Sequence, residues 1–458
     1  MSISNLIRTG RNSLLANQAA MNTTGQNIAN ANTEGYTRKR VQLGPMETID
    51  RGLRHGTASG ALTSGVTVDD FSRLRDDITR RASDEAHSAY GFAQEEARMM
   101  SGLEALFPQG PGSFGEVLND FWNGFGDLAD NPLDEGVRAT LLSKAEALTA
   151  TFNKVDSEMT RFQEATSAEL KDTAANVNGL LDDIAALNEQ IRTADANGST
   201  DHSAMDKRDS LVRELSTFGP VRVNEDGGRF SVKLGGFNVV DDTTTTHLSV
   251  DDSDVPPTIS FGTTGVEYTD RSRNSGKLGA LLSGVETVQE KRATLDDLAA
   301  GLARSVNEVH ADGEGLDGTS GDFFYDPGEI TAGSLRLDDN VQGNPRNIAA
   351  SADGTPGNSD TALDIANLRT EGVTGDGKTS EGALNDMISS IGNRVNQADQ
   401  LAESQRGVID YLDSIESATS GVNLDEEMTN MIKYQQSYAA SARVIETAQR
   451  MFDTILSM

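Results

Sequence analysis

The sequence predicts a mainly α protein with a small β domain: an elongated, discontinuous helical bundle whose N- and C-terminal helices pair in a coiled-coil-like end domain. Three observations predict it. Residues 134–193 contain no proline and step mostly by threes and fours through Leu141, Ala145, Leu148, Phe152, Val155, Met159, Phe162, Thr166, Thr173, Val177, Leu180, Ile184, Leu187 and Ile191, the period of one helical face. As a single helix the run would reach roughly 90 Å at 1.5 Å per residue, too long for a compact domain to wrap. Both chain ends carry heptad spacing: Ile7, Leu14, Met21 and Ile28 in the first stretch, and Leu424, Met431, Tyr438, Ile445 and Phe452 in the last. Such narrow seams suit helices that pair with each other or with copies of themselves.

Taken in order, the N-terminal helix breaks at a run of turn-formers from Asn27 to Tyr36, followed by Arg38-Lys39-Arg40. Residues 44–70 are rich in Gly, Thr and Ser with short apolar alternation, fitting an extended hairpin or a linker. Helical spacing resumes at Phe71, Leu74 and Ile78 and runs to Phe107, where Pro108 and Gly-Pro-Gly at 110–112 stop it. A short aromatic helix follows around Phe114, Phe121, Trp122 and Phe125. Partner helices for the long one are expected at 277–309 and 384–416. Between them, 219–269 switches to strand signals separated by Asp226-Gly227-Gly228 and Gly235-Gly236, which read as hairpin turns. A second non-helical stretch, 311–358, is expected to join the same β domain. The expected division is therefore 1–43 with 421–458 as the terminal helical domain; 44–217, 276–311 and 359–420 as the bundle; and 218–275 with 312–358 as the outer β domain.

Composition limits the function. With 71 acidic against 39 basic side chains the net charge is −32, so nucleic acid and an anionic membrane are poor partners. The charge is uneven: residues 1–45 are net +4, with Arg8, Arg11, Arg38, Lys39 and Arg40 against Glu34, whereas 421–458 is net −2. Complementary ends favour their mutual association weakly, because exposed charges are screened. No cysteine is present, which removes disulfides and thiolate metal sites. Neither a secretory apolar core nor a membrane-length apolar run is found, so membrane insertion is not expected. On these facts alone the chain would be placed in the cytoplasm.

The two ends together point further. Asn27-Ile28-Ala29-Asn30-Ala31-Asn32-Thr33-Glu34-Gly35-Tyr36, with Arg38 beyond it, resembles the N-terminal signature of the bacterial flagellar axial proteins, in which Pro is usual where this chain has Glu34. Val422-Asn423-Leu424-Asp425-Glu426-Glu427 and Tyr434-Gln435-Gln436-Ser437-Tyr438 are similar to the C-terminus of the hook–filament junction branch. So are Asn131-Pro132, Ala145-Glu146-Ala147-Leu148 and Ile184-Ala185-Ala186-Leu187-Asn188-Glu189-Gln190-Ile191 inside the bundle. The resemblance implies a structural subunit of the bacterial flagellum, outside the cell, exported through the flagellar secretion apparatus without a cleaved signal peptide. Its implied partners are the hook protein, a second junction protein, copies of itself in a ring, and an export chaperone binding the C-terminal segment. The motif residues Asn27, Asn30, Asn32, Thr33, Gly35, Tyr36 and Arg38 and the nine heptad residues are its expected assembly elements. A rod or hook protein is the alternative within the class, and an envelope enzyme such as a wall hydrolase the alternative outside it.

Nothing in the chain reads as a catalytic centre, and no cofactor or metal is expected. Gly313-Glu314-Gly315-Leu316-Asp317-Gly318 fits G-x-G-x-x-G, but a phosphate cradle needs a strand before it and a helix N-terminus after it. Asp241-Asp242 and Asp251-Asp252 with Asp254 match no calcium-loop spacing and read as solvated loops. The five histidines show no paired metal spacing. In Met205-Asp206-Lys207-Arg208-Asp209 a capped helix with an internal charge pair is expected. Both terminal seams are narrow and include Gly10 and Gly25, each costing a helix about 1 kcal/mol relative to Ala. They are therefore expected to order only on assembly.

Overall fold

The computed structural model describes residues 3–33, 35–46, 65–262, 265–268 and 270–457, so Glu34 and the middle of the 44–70 connector lie outside it. Helix α1, Ile3–Ala29, leads into strand β1, Lys39–Pro45, which pairs antiparallel with β2, Val66–Arg73, placing Val41 opposite Phe71. The described flanks of the connector are thus paired strands. Phe71, expected to open a helix, lies in this strand instead. Helix α2, Asp77–Glu104, begins only where Asp76 can cap it: its carboxylate accepts from Ile78 N at 3.0 Å and from the Thr79 hydroxyl at 2.7 Å.

Helix α3, Phe114–Asp130, is capped by Ser113. Helix α4 runs without interruption from Glu135 to Ala196, capped by Asp134, whose side chain accepts from Gly136 N at 2.7 Å. Helix α5, His202–Phe218, then feeds the β region. Strands β3 (Val221–Asp226), β4 (Arg229–Leu234), β5 (Phe237–Asp241) and β6 (Thr244–Thr245) form one antiparallel meander. Its first two turns are Gly227-Gly228 and Gly235-Gly236, with φ of 58° and 84° and of 60° and 91°, values that favour glycine at both central positions of a two-residue hairpin. Strands β7 (Leu248–Asp251), β8 (Thr258–Phe261) and β9 (Val266–Glu267) make a second sheet. The rest is helical: α6 (Asp270–Arg273), α7 (Gly276–Ala311), α8 (Asp360–Asn367), α9 (Ser380–Ser420) and α10 (Leu424–Leu456).

Two hydrophobic cores are strung along α4. Its first half gives Leu141, Leu148, Phe152 and Met159 to a core with the aromatic face of α3 (Leu118, Phe121, Trp122, Phe125) and the second half of α7. Its second half gives Leu170, Val177, Leu181 and Ile184 to another, with Met99 and Met100 of α2, the sheet residues Val232, Leu234 and Val240, and the first half of α7. Phe162 packs against both. Small residues permit the closest approaches: a Cβ on Gly284 would stand 2.2 Å from the Met99 side chain.

Residues 312–358 depart from expectation. They do not join either sheet; among the described residues they form only the isolated bridges Glu314–Ser351 and Phe324–Leu337. They wrap the first core instead, burying Phe323, Phe324, Leu335, Leu337 and Ile348 in it. Two side chains near the end of α7 hold them there. Asn307 accepts from the amides of Phe323 (3.0 Å) and Phe324 (2.8 Å) and donates to Phe324 O at 2.8 Å. His310 accepts from Ala349 N through Nε2 at 2.9 Å and so donates through Nδ1 to Gly321 O at 2.6 Å. Arg138, 1% exposed, holds Pro132 O and Ile348 O from α4. Gly313–Gly318 lies in this wrap, after α7 and without a helix behind it. Among the described residues no helix is long and apolar enough to cross a membrane.

Candidate functional site

Helices α1 and α10 lie side by side and antiparallel, as their contacts show. Met431 Cε stands 3.8 Å from the Cβ position of Gly25, the Ser13 and Ser441 hydroxyls meet at 2.7 Å, and a Cβ on Gly10 would stand 2.6 Å from Ile445 Cγ1. The buried positions are small or polar: Gly10, Ala16, Asn17, Ala20, Thr23, Thr24 and Asn27 on α1, and Glu427, Ser441 and Ala448 on α10. Both helices are thus formed within one chain. Polar contacts supplement the narrow apolar seam between them.

The heptad residues divide between two settings. Ile7, Leu14, Met21, Ile28, Met431 and Ile445 are half-buried, and Met431 and Ile445 face α1. Leu424, Tyr438 and Phe452 are exposed, as are Met428, Ile432, Met451, Ile455 and Leu456. The contact with α1 therefore runs along Glu427, Ser441 and Ala448, beside the heptad line, and most of the large apolar residues of α10 remain in solvent.

At the base of the pair, two motif residues, Asn27 and Arg38, converge on one carboxylate, and a third, Tyr36, braces Asn27. Asn27 donates to Glu427 Oε2 at 3.0 Å and to Lys39 O at 2.9 Å, and its Oδ1 accepts from Lys39 N at 3.0 Å and from the Tyr36 hydroxyl at 2.9 Å. Arg38 grips Glu427 Oε1 through Nε at 2.8 Å and Nη2 at 2.7 Å, and Glu426 through Nη1 at 2.7 Å. Burial, with Asp206 and Glu427 nearby, pushes the Tyr36 hydroxyl up to about 12. The other motif residues shape the turn: Asn30 O accepts from Thr33 N at 2.9 Å, Thr33 O accepts from Tyr36 N at 3.2 Å, and Gly35 takes φ +74°. Asn32 is exposed.

A second knot ties this module to the bundle. Asp209 accepts from Arg73 at 2.9 Å, Arg75 at 3.4 Å and Arg80 at 3.0 Å, and Asp206 pairs with Arg73 at 3.0 Å. The charge pair expected inside Met205–Asp209 does not form; the carboxylates of this stretch pair with arginines outside it. Arg208 turns the other way, bonding Asn188 at 3.0 Å and stacking 3.5 Å over the Phe230 ring. Asp84, 5% exposed, is pushed up to about 6 by burial, against the pull of Arg80 and Arg213. Of the acidic loops, Asp241 pairs with Arg229 at 3.2 Å and Asp252 with Lys171 at 2.6 Å. No group of three metal-ligating side chains occurs among the described residues. Sequence reasoning missed Glu427 as the hub. An Asn-x-x-x-Glu start to a helix reads as an ordinary cap, and Asn423 is indeed that cap.

Comparison with known proteins agrees with this arrangement. Residues 100–325 match the family model described as the flagellar hook-associated protein FlgK helical domain. Residues 7–37 match the flagella basal body rod protein model, and 417–458 the flagellar basal body rod FlgEFG protein C-terminal model. Flagellar hook-associated protein 1 of Bacillus subtilis is 29% identical over 98% of this chain and 97% of its own. The protein of that name from Salmonella typhimurium is 25% identical over the whole of both chains. The fold is similar to the solved flagellar hook junction protein FlgK from Burkholderia pseudomallei, with a TM-score of 0.65 and 16% identity, covering 74% of this chain and 100% of that one. With one model over much of the two cores, two more on the paired ends, and relatives matched end to end, the chain is a homologue of flagellar hook-associated protein 1 along its whole length.

Proposed function

We propose that the chain is a structural subunit of the junction between flagellar hook and filament, assembled as a ring through its terminal and bundle helices. The observation that carries this reading is the solvent-facing apolar row of α10: Leu424, Met428, Ile432, Met451, Phe452 and Ile455 are each about half exposed or more. Two exposed apolar groups, Leu424, Met428 and Ile432 near the start of α10 and Met451, Phe452 and Ile455 near its end, call for cover, and neighbouring subunits in a tube supply it. In this reading the α1–α10 module lines the inner tube, the helices along α4 form the next shell, and the β3–β9 region faces outward, with 312–358 belonging to the bundle. The subunit leaves the cell through the flagellar export apparatus with an uncleaved N-terminus, chaperoned at its C-terminal segment. It stands between the hook protein and a second junction protein. Its role is mechanical, and two buried groups with strongly shifted pKa values, Asp84 and His310, serve packing in separate places.

The test is complementation of a strain that lacks the chain. The unaltered chain should restore filaments to bare hooks, seen by negative-stain microscopy. Met428→Ser with Ile432→Ser should leave the hooks bare while the purified variant melts as the parent does. Filaments on hooks carrying that variant would overturn the role given to the α10 row.

A further inference from the structure

Against a net charge of −32, the cleft between α1, β1 and α10 stands out as basic. It has a volume of about 310 Å³, and Lys39, Arg40 and Lys433 line it beside Thr24 and Tyr434. The carboxylates in its wall, Glu426 and Glu427, are both held by Arg38 at 2.7 Å. Arg40 and Lys433 are exposed and form no ion pair among the described residues. Unpaired cations around a concave site call for an anionic occupant.

The chain offers one on a different face. Asp399, Glu403, Asp410 and Asp413 of α9 are all exposed. Their spacing of four, seven and three places them on one helical side, a ridge of roughly 21 Å. Among the described residues Asp410 pairs with Arg406 at 3.3 Å and Asp413 lies in the field of Arg213, while Asp399 and Glu403 form no ion pair. No described residue of α9 lines the basic cleft, so the ridge does not neutralise the cleft of its own copy.

Resting on the reading that copies stand side by side in the flagellum, we propose that charge joins them head to tail: the basic cleft of one copy receives the acidic ridge of α9 of the next. A cleft on one face and a ridge on another make a heterologous contact, which passes from subunit to subunit around a ring or helix and does not close as a two-fold pair. The contact selects register and neighbour, while the apolar row of α10 supplies the buried area.

Charge reversal tests this in the complemented strain. Arg40→Glu with Lys433→Glu, and separately Asp399→Lys with Glu403→Lys and Asp413→Lys, should each lower the fraction of hooks bearing filaments at least tenfold, with unchanged melting of the purified proteins. Combining all five should restore that fraction to within twofold of the parent. Because the chain has no cysteine, Arg40→Cys with Glu403→Cys gives a second readout: oxidation of assembled flagella should yield a ladder of multimers. Filaments with either reversal alone, a five-fold variant no better than its parts, or no ladder from assembled flagella would overturn the charge pairing alone. Bare hooks with the unaltered chain would overturn the junction reading, and the pairing with it.

Discussion

Glu427 accepts a 3.0 Å hydrogen bond from Asn27, four hundred positions earlier in the chain, and the two side chains are 2% and 1% exposed. A carboxylate that deeply placed needs compensation. Two nitrogens of Arg38 and one of Asn27 supply it. The two ends of the chain are therefore joined by a closed set of polar contacts, in which removing any member orphans the others.

Asn27→Ala should accordingly cost about 1–3 kcal/mol, the range for leaving buried polar partners unsatisfied. The loss should be local. Hydrogen exchange should speed up at least tenfold along α1 and α10, while the amides of α4 keep the protection of the parent. Equal protection of α1 and α10 in parent and variant would show that the contact holds nothing.

Gly10 faces Ile445 so closely that a methyl group there would stand 2.6 Å from Ile445 Cγ1. In an isolated helix Gly→Ala gains about 1 kcal/mol, so the sign of the effect separates propensity from packing. Gly10→Ala should destabilise the α1–α10 pair, and Ile445→Ala added to it should recover part of the loss. That non-additivity, read by exchange along α1, is the signature of direct contact. A stabilised single variant would mean that the two helices do not approach this closely.

Much of this was legible in sequence where local period and tertiary environment agree. The 134–193 run became one helix because it supplies a buried residue every turn to two successive cores. The glycine pairs at 227–228 and 235–236 became turns because few other residues take those angles. What was not legible depended on distant partners. Nothing local tells Glu427 from Glu426, yet one is 2% exposed and the other largely in solvent. The period that marked Leu424, Tyr438 and Phe452 as a seam is real, but in the single chain α1 takes the neighbouring line of Glu427, Ser441 and Ala448. Likewise 311–358 has the composition of β turns, and only Asn307 and His310, on a helix, dock it on the aromatic core.

Asp84 gives a pH dependence of one sign. Burial raises its carboxyl from 3.8 to about 6, and Arg80 and Arg213, which pull it down, are already engaged by Asp209 at 3.0 Å and Glu416 at 2.6 Å. Between those pH values the folded protein holds a proton that the unfolded chain releases, so the contribution of Asp84 to stability is complete below 3.8 and is lost as pH rises through 6. Asp84→Asn, which stays neutral, should therefore be more stable than the parent at pH 8, by on the order of 2 kcal/mol. Denaturant melts should show that advantage vanish near pH 4. An advantage independent of pH would place its origin elsewhere.

His310 gives the opposite sign. Burial lowers its imidazole from 6.5 to about 4, and the geometry enforces the neutral form: Nε2 must stay bare to accept from Ala349 N. Between pH 6.5 and 4 the unfolded chain binds a proton that the folded protein refuses. The stability His310 contributes is thus complete above 6.5 and is lost as pH falls towards 4, amounting to about 3 kcal/mol at most. The first core should weaken in that window, and the protein carries its own probe there. The single tryptophan, Trp122, is 1% exposed, with its ring 5.0 Å from Phe121, which lies 6.1 Å from Phe323, the ring that His310 meets edge-on at 5.3 Å. Denaturant melts followed by Trp122 fluorescence should lose stability steadily from pH 6.5 to 4, with the slope reduced in His310→Gln, which has no titrating ring. An identical slope in parent and variant would mean that the acid sensitivity of this core comes from other groups, and that docking of the 312–358 wrap does not depend on a neutral His310.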